Sequence, residues 1–307
     1  MKYIVSIILP TYNEEKALQK VVKDIVDNFP EYGEIIIVND GSTDKTESVA
    51  KLCEKRYKNV RLISHEKNKG KVEAIRTGVK NARGSIIVLM DSDYTYPAEY
   101  IRYLVEKIKD GYDLVLGNRF GKKYKMSLFN KIGNKIFSLL ITFFSGKSIA
   151  DGQTGFRAFR KSIFPEIDVR AKSLEYETKQ TLKAARLGYK IYEVPIEYRK
   201  RIGKSKLNPV IDGFKMFKAI VDIFWDESIL ASKLFIVLSI ILSFIGFMFG
   251  LIVLREKILY GILAHEYYPL LSTLLIFIGI QMFSLGVILD ILTKRLDRIE
   301  EMLSKKS

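Results

Sequence analysis

Two aspartates one residue apart, Asp91 and Asp93, close an apolar run in LMDSDYTYP, residues 89–97. In extended chain, residues i and i+2 face the same way, so both carboxylates aim at one point just past the strand SIIVLM. Four oxygens gathered there suit a hard divalent cation, Mg²⁺ or Mn²⁺, which takes oxygen ligands and bridges carboxylates to a substrate's phosphates. Asp, Ser and Pro are also ordinary turn residues. Taken alone, Asp91-Ser92-Asp93 therefore reads first as a solvated turn.

The elements that must position this pair are legible as alternating patterns. YIVSIIL, EIIIV, VRLI, SIIVLM and DLVLG read as strands. NEEKALQKVVKDIVDNF, STDKTESVAKLCEKRY and GKVEAIRTGVKNA read as amphipathic helices between them. Repeated βα units predict an α/β domain, a mostly parallel sheet flanked by helices. Ligands of such sheets bind beyond the carboxyl ends of the strands. Three polar clusters fall there: Pro10-Thr11-Tyr12-Asn13-Glu14, Asn39-Asp40-Gly41-Ser42-Thr43-Asp44 and Asp91-Ser92-Asp93. Asn13 and Thr43 are also placed to cap the helices that follow them.

At 307 residues the chain has ample material for a core, and its single cysteine, Cys53, excludes an intrachain disulfide. Cys53 falls in a helical pattern and reads as a packed thiol. With only His65 and His265 beside it, a zinc cluster is not expected. A formal charge of +15 points to an anionic partner. The basic residues are dispersed and no groove-reading motif occurs, which argues against nucleic acid.

Composition changes near residue 233. LFIVLSIILSFIGFMFGLIVL (234–254) and PLLSTLLIFIGIQMFSLGVIL (269–289) are uncharged runs of 21 residues, each long enough to span a lipid bilayer. Basic residues cluster before the first run and after the second, so the positive-inside rule places the catalytic domain and both termini in the cytoplasm. The stretches 126–146 and 207–225 mix Phe, Leu and Ile with lysines at helical spacing, as in helices lying in the membrane interface. Trp225 suits a headgroup-level anchor. TKRLDRIEEMLSKK forms a short amphipathic cytoplasmic helix, and it or the spans offer a surface for a homo-oligomer. The expected organisation is 1–205 catalytic, 206–232 interfacial, 233–292 transmembrane and 293–307 C-terminal helix.

LPTYNEE, VNDGSTDKT, NKGKVEAIRTG and DSDYTYP, in that order, resemble the family 2 glycosyltransferases with the GT-A nucleotide-sugar fold. LGNRF, DGQTGFRAF and KSLEYETKQTLKAARLGYKIYEVPIEYRKRIGKSKL extend the resemblance to the polyprenyl-phosphate (dolichyl-phosphate) monosaccharide synthases. It covers roughly residues 4 to 208. The implied reaction moves one sugar from a nucleotide sugar to the phosphate of a polyprenyl or dolichyl phosphate. Typical members read Asp-x-Asp-Leu-Gln-His-Pro, whereas Tyr94-Thr95-Tyr96 stand here before Pro97; that departure and LEYET favour UDP-Glc or UDP-GlcNAc over GDP-Man.

The resemblance also implies residue roles. Asp93 ligates the metal and Asp91 lies between metal and ribose or sugar. Asp40 and the loop holding Pro10, Tyr12 and Glu14 take base and ribose. Lys71 and Arg76 face the diphosphate, and Arg119, Lys131 and Asn134 match the acceptor-phosphate region. Asp151 stands near the anomeric carbon as base or orienter, with Gln153 and Arg157 beside it and Glu177 turned to the same pocket. Arg199, Arg201, Ser205 and Lys206 belong to a basic, glycine-hinged loop closing over the diphosphate. For Arg119 a surface ion pair is the alternative role.

The chemistry can be argued independently. A diphosphate leaves the anomeric carbon readily only when its developing charge is neutralised. A phosphate monoester is already anionic at neutral pH, so it needs placement more than deprotonation. No second carboxylate is evident for a covalent glycosyl intermediate, so a single displacement with inversion is expected. A processive polysaccharide synthase shares the nucleotide motifs, but the Gln-x-x-Arg-Trp element is absent. A non-catalytic, membrane-tethered nucleotide-sugar binder stays open as an alternative, with the intact Asp-x-Asp as the argument against it.

Overall fold

The computed structural model describes residues 5–31, 33–120, 138, 141–142, 148–169, 175–203, 214, 218, 221–222, 225 and 228–304. Lys131, Asn134, Ser205 and Lys206, most of 126–146 and most of 207–225 lie outside the described residues. Two compact units divide the chain, residues 1–221 and 222–307.

The first unit is built on seven strands: β1 (Val5–Thr11), β2 (Glu34–Asn39), β3 (Val60–Ser64), β4 (Ile86–Leu89), β5 (Leu114–Asn118), β6 (Arg157–Arg160) and β7 (Ile191–Pro195). Their order in the sheet is β3-β2-β1-β4-β6-β5-β7. Every residue of β2 and β4 is buried, as expected for strands covered on both faces. The helices α1 (Leu18–Asn28), α2 (Thr46–Arg56), α3 (Lys71–Asn81) and α4 (Ile101–Lys109) supply the cover. Their apolar stripes face inward, for example Leu18, Val21, Val22 and Ile25 on α1. Cys53 is buried in this core, as a packed thiol.

Register decides where the polar clusters meet. β1 runs parallel to β2 with Thr11 opposite Asn39, and parallel to β4 with Ile8 opposite Leu89. The three clusters therefore leave the sheet on one rim. β6, in contrast, runs antiparallel to both β4 and β5, pairing Arg157 with Leu89 and with Leu116. The sheet is thus mixed rather than wholly parallel, and neither RAFR nor IYEVP stood out as a strand by pattern. Its reversed direction brings the start of β6, and hence the preceding DGQTGF segment, to the same rim.

Two further helices of this unit are α5 (Phe164–Ile167) and α6 (Glu175–Arg186). Neither Asn13 nor Thr43 caps a helix; the residues at those positions are Ala17 and Lys45, without side-chain caps. Asn13 instead takes a left-handed conformation (φ 52°). Its amide joins the two loops, accepting the Thr43 N–H at 2.8 Å and donating to the Thr43 hydroxyl at 3.2 Å.

The second unit contains α7 (Leu230–Tyr260) and α8 (Tyr268–Ser304), both long and apolar enough to cross a membrane. α8 continues without interruption into the C-terminal amphipathic stretch. Small residues recur every seventh position on each helix and meet in antiparallel order: Gly246 with Ser272, Ser239 with Gly279, Ser232 with Gly286. A Cβ on Gly279 would stand 3.0 Å from the Ser239 carbonyl and 2.2 Å from Ser243 Oγ. Close backbone approach with hydroxyl donors, such as Ser272 to the Gly246 carbonyl at 2.8 Å, is how apolar helices associate without a hydrophobic driving force. Asp290 is buried and accepts the Ile229 N–H at 3.2 Å, satisfying the amino end of α7.

Candidate active site

Asp91 and Asp93 leave β4 at the centre of the rim, and both carry a cation of the protein's own. Lys71, the first residue of α3, places Nζ 2.6 Å from Asp91 Oδ1 and 2.7 Å from Glu177 Oε1. Burial works against its charge, and the two carboxylates more than offset this, holding the ammonium above the usual lysine range. Arg201 bridges Glu14 and Asp93, its Nη1 3.2 Å from Asp93 Oδ2. Asp93 Oδ1 accepts the Thr95 N–H at 3.1 Å and its hydroxyl at 2.5 Å. Burial, and then the charge of Asp91, push the Asp93 carboxyl upward against these contacts.

The loop around the pair is tightly constrained. Tyr94 has φ 71°, unusual for a residue with a Cβ, and lies under the Arg199 guanidinium at 4.8 Å. Backbone bonds from Arg199 to Thr95 and from Ile202 to Asp93 tie the basic loop along this turn, at 2.9 and 3.1 Å. Tyr96 is buried, stacks on Phe156 at 5.2 Å and accepts the Gly155 N–H at 3.1 Å. Gly155 is needed there: a Cβ would stand 2.8 Å from Asp91 Oδ2.

Asp151 and Arg119 are brought together, and to one another. Arg119 donates from its backbone N–H and Nε to Asp151 Oδ2 at 2.9 and 2.7 Å, and from Nη2 to Oδ1 at 2.8 Å. They are 7% and 0% exposed, so the surface ion pair considered for Arg119 is instead a buried bidentate one. Burial opposes the Arg119 charge, yet Asp151 holds the guanidinium well above its ordinary range. The Asp151 N–H in turn donates to Glu193 at 2.8 Å. Neither the arginine fork nor the aspartate is a loose group facing a ligand.

Arg157, fully buried, organises the neighbouring loop. It donates to the Thr154 carbonyl, the Glu177 carbonyl at 3.3 Å, Gln180 Oε1 at 2.8 Å and Thr181 Oγ1 at 3.4 Å. Burial lowers its pKa, since its contacts are neutral oxygens. It thereby fastens the DGQTG segment to α6. Buried side-chain atoms on these elements without a hydrogen-bond partner among the described residues include Gln153 Nε2, a donor, and Glu177 Oε2, an acceptor. Each is an atom that a ligand hydroxyl can satisfy, by accepting from the amide or by donating to the carboxylate.

On the β2 side, Asp40 accepts the Lys69 and Gly70 N–H groups at 2.9 and 2.8 Å and meets His65 Nδ1 at 2.7 Å. His65 Nε2 meets the Thr77 hydroxyl at 2.9 Å. Asp40 thus holds the 65–70 loop. His65 was not singled out by sequence, although its place in SHEKNKG, five residues before Gly70, could have indicated it. Tyr96 and Tyr198 were likewise passed over, because aromatic residues give no signal of a site on their own. Arg76 turns away from the rim to Glu73, Asp168 and the Val169 carbonyl, at 2.5, 2.8 and 3.0 Å. Pro10 accepts a hydrogen bond from Ser92 at 3.1 Å, which joins the β1 and β4 ends. Tyr12 is half-buried beside it.

A family model for glycosyl transferase family 2 matches residues 6–168. The chain belongs to that family. The transferase is 34% identical over 223 residues to a dolichyl-phosphate hexose transferase of Haloferax volcanii, covering 72% of this chain and 94% of that one. It is 27% identical to an undecaprenyl-phosphate 4-deoxy-4-formamido-L-arabinose transferase of Photorhabdus laumondii, over 92% of this chain and 87% of the relative. Its fold is that of glucosyl-3-phosphoglycerate synthase from Mycobacterium tuberculosis, with a TM-score of 0.58 at 20% identity over 72% and 79% of the two chains. That structure contains Mn²⁺, UDP and glucosyl-3-phosphoglycerate. The first unit of the transferase is accordingly a GT-A fold.

Proposed function

We propose that this glycosyltransferase transfers one sugar from a nucleotide sugar, UDP-Glc or UDP-GlcNAc in preference to GDP-Man, to the phosphate of a polyprenyl or dolichyl phosphate. The observation that carries this reading is the pair Asp91 and Asp93 at the carboxyl end of β4, in a chain 34% identical to a dolichyl-phosphate hexose transferase. Mg²⁺ or Mn²⁺ fits the residues present. Both carboxylates lie on the rim, and the space against Asp91 is one that a Cβ on residue 155 would fill. Asp91 and Asp93 would hold the ion, and when bound it neutralises the diphosphate as it leaves.

The transferase's own residues do the remainder. Lys71 and Arg201 place positive charge where the diphosphate comes to rest, and Asp40 keeps the 65–70 loop against the nucleotide end of the rim. Gln153 and Glu177 meet sugar hydroxyls. A phosphate oxygen of the acceptor attacks the anomeric carbon as the bond to the diphosphate breaks, and its electron pair leaves with the nucleotide. The lipid phosphate is already ionised, so Asp151, bound to Arg119, serves to keep the floor of the site in place rather than to take a proton. One displacement gives inversion.

α7 and α8 cross the bilayer and locate the lipid, with the catalytic unit and both termini in the cytoplasm by the distribution of basic residues. The catalytic (1–205), interfacial (206–232), spanning (233–292) and C-terminal (293–307) segments belong to the same proposal. The test is to incubate membranes with each radiolabelled nucleotide sugar and a polyprenyl phosphate, then to extract lipid. Label in the lipid phase from a UDP-sugar, β-linked by its anomeric NMR coupling, is expected from an α-linked donor. Label only in polymer, or none with any donor, overturns the reading.

A further inference from the structure

The carboxylates that would hold the metal are the same ones that Lys71 and Arg201 meet. Lys71 stands 2.6 Å from Asp91 and 2.7 Å from Glu177, and Arg201 joins Glu14 to Asp93 at 3.2 Å. Each comes from a different element than the aspartates: Lys71 from the amino end of α3 and Arg201 from the loop after β7. Like charges so close repel, so a divalent ion and these side chains compete for the carboxylates. The arriving diphosphate offers both cations another anionic partner.

We propose that Lys71, and with it Arg201, is an exchangeable counter-ion that couples the two halves of donor binding. Resting on the nucleotide-sugar reading above, it goes further by fixing the sense of the coupling. Lys71 opposes the divalent ion while it lies on Asp91, and supports the diphosphate once it has moved there. The ion alone and the nucleotide alone each bind weakly, and together they bind well, by equal factors in either order. Release of Lys71 also uncovers Glu177, whose other oxygen has no partner among the described residues. Entry of the donor thus prepares the contact to its sugar.

The experiment uses the full chain in detergent micelles, with free Mn²⁺ read by electron paramagnetic resonance and UDP or GDP binding read by calorimetry. Lys71→Met is expected to bind Mn²⁺ alone about fivefold or more tighter than the parent, and UDP in the presence of Mn²⁺ about tenfold weaker. Lys71→Arg, which keeps the charge, should leave Mn²⁺ affinity within about twofold. Arg201→Met should shift both affinities in the same directions through a residue outside α3, and it keeps the test alive if Lys71→Met does not fold. The opposed signs are diagnostic, because a merely structural defect would weaken both ligands. A parent that binds Mn²⁺ and UDP while both neutral variants bind Mn²⁺ no tighter overturns the coupling alone. A parent that binds neither Mn²⁺ nor either nucleotide overturns the donor reading with it.

Discussion

Two acid–base groupings stand on one rim and differ in burial and in how completely they are satisfied. Arg119 and Asp151 form a closed pair with three hydrogen bonds, and Asp151 is fully shielded. Lys71 shares itself between Asp91 and Glu177; its side chain is one-third exposed, and one oxygen of Glu177 has no partner among the described residues. The first is built to persist and the second to exchange. Residue type does not distinguish them, since each sets a cation against carboxylate; burial and hydrogen-bond saturation do.

Breaking the closed pair should have the largest effect. Arg119→Met leaves Asp151 buried and unpaired, so a stability loss of about 3–5 kcal/mol is expected in denaturant titration. Lys71→Met should lose less, because Lys71 and Asp91 are partly exposed and water can replace the ammonium on Asp91. Equal losses would erase the distinction. Next, Asp93→Ala should lower turnover about 10²–10³-fold with the melting temperature nearly unchanged. A melting temperature that fell in step with activity would move Asp93 into the structural group.

The helical hairpin extends the comparison to a region with no catalytic charge. Gly279→Val would press on the Ser239 carbonyl and Ser243, and about 1–3 kcal/mol of hairpin stability should be lost without change in nucleotide affinity. Thermal unfolding and calorimetry on the same sample check both halves. Gly155→Ala should act on the exchangeable side alone, forcing Asp91 aside and reducing turnover about tenfold. Unaltered Mn²⁺ binding in that variant would show that Asp91 tolerates the added methyl.

The smallest effect concerns pH. Burial alone would raise the Glu34 carboxyl, but the Arg83 N–H, the Ser6 hydroxyl and Arg61 hold it below the ordinary glutamate range. Its contribution is therefore complete above the unfolded value of about 4.3 and is lost as pH falls through the folded one. Glu34→Gln should be less stable at neutral pH by about 1 kcal/mol and lose less than the parent on acidification below about pH 4. Parallel stability curves would remove Glu34 from the acid response.

Much of the fold was legible because its signals are local. An apolar run of four to seven residues bounded by turn residues identifies β1 to β5, and uncharged runs identify the apolar cores of α7 and α8. RAFR resisted this reading, since half of its residues are arginines whose burial depends on partners distant in sequence. Arg157 can be a strand residue only because Thr154, Gln180 and Thr181 provide its acceptors. Arg76 was misjudged for the complementary reason. It lies on the same helix as Lys71, but its own position on that helix turns it to Asp168.

The sequence by itself determined the composition of the rim. The order of motifs, the Asp91–Asp93 spacing and the parallel βα units bring carboxylates to strand ends, because side-chain alternation and connection lengths are short-range properties. Tertiary structure alone decided which cation each carboxylate holds. Asp151 precedes the antiparallel β6 and Arg119 follows β5, and they meet because those strands are neighbours in the sheet. Lys71 reaches Asp91 and Glu177 from a third element. Such pairings depend on distance and burial across the fold, and no spacing along the chain encodes either.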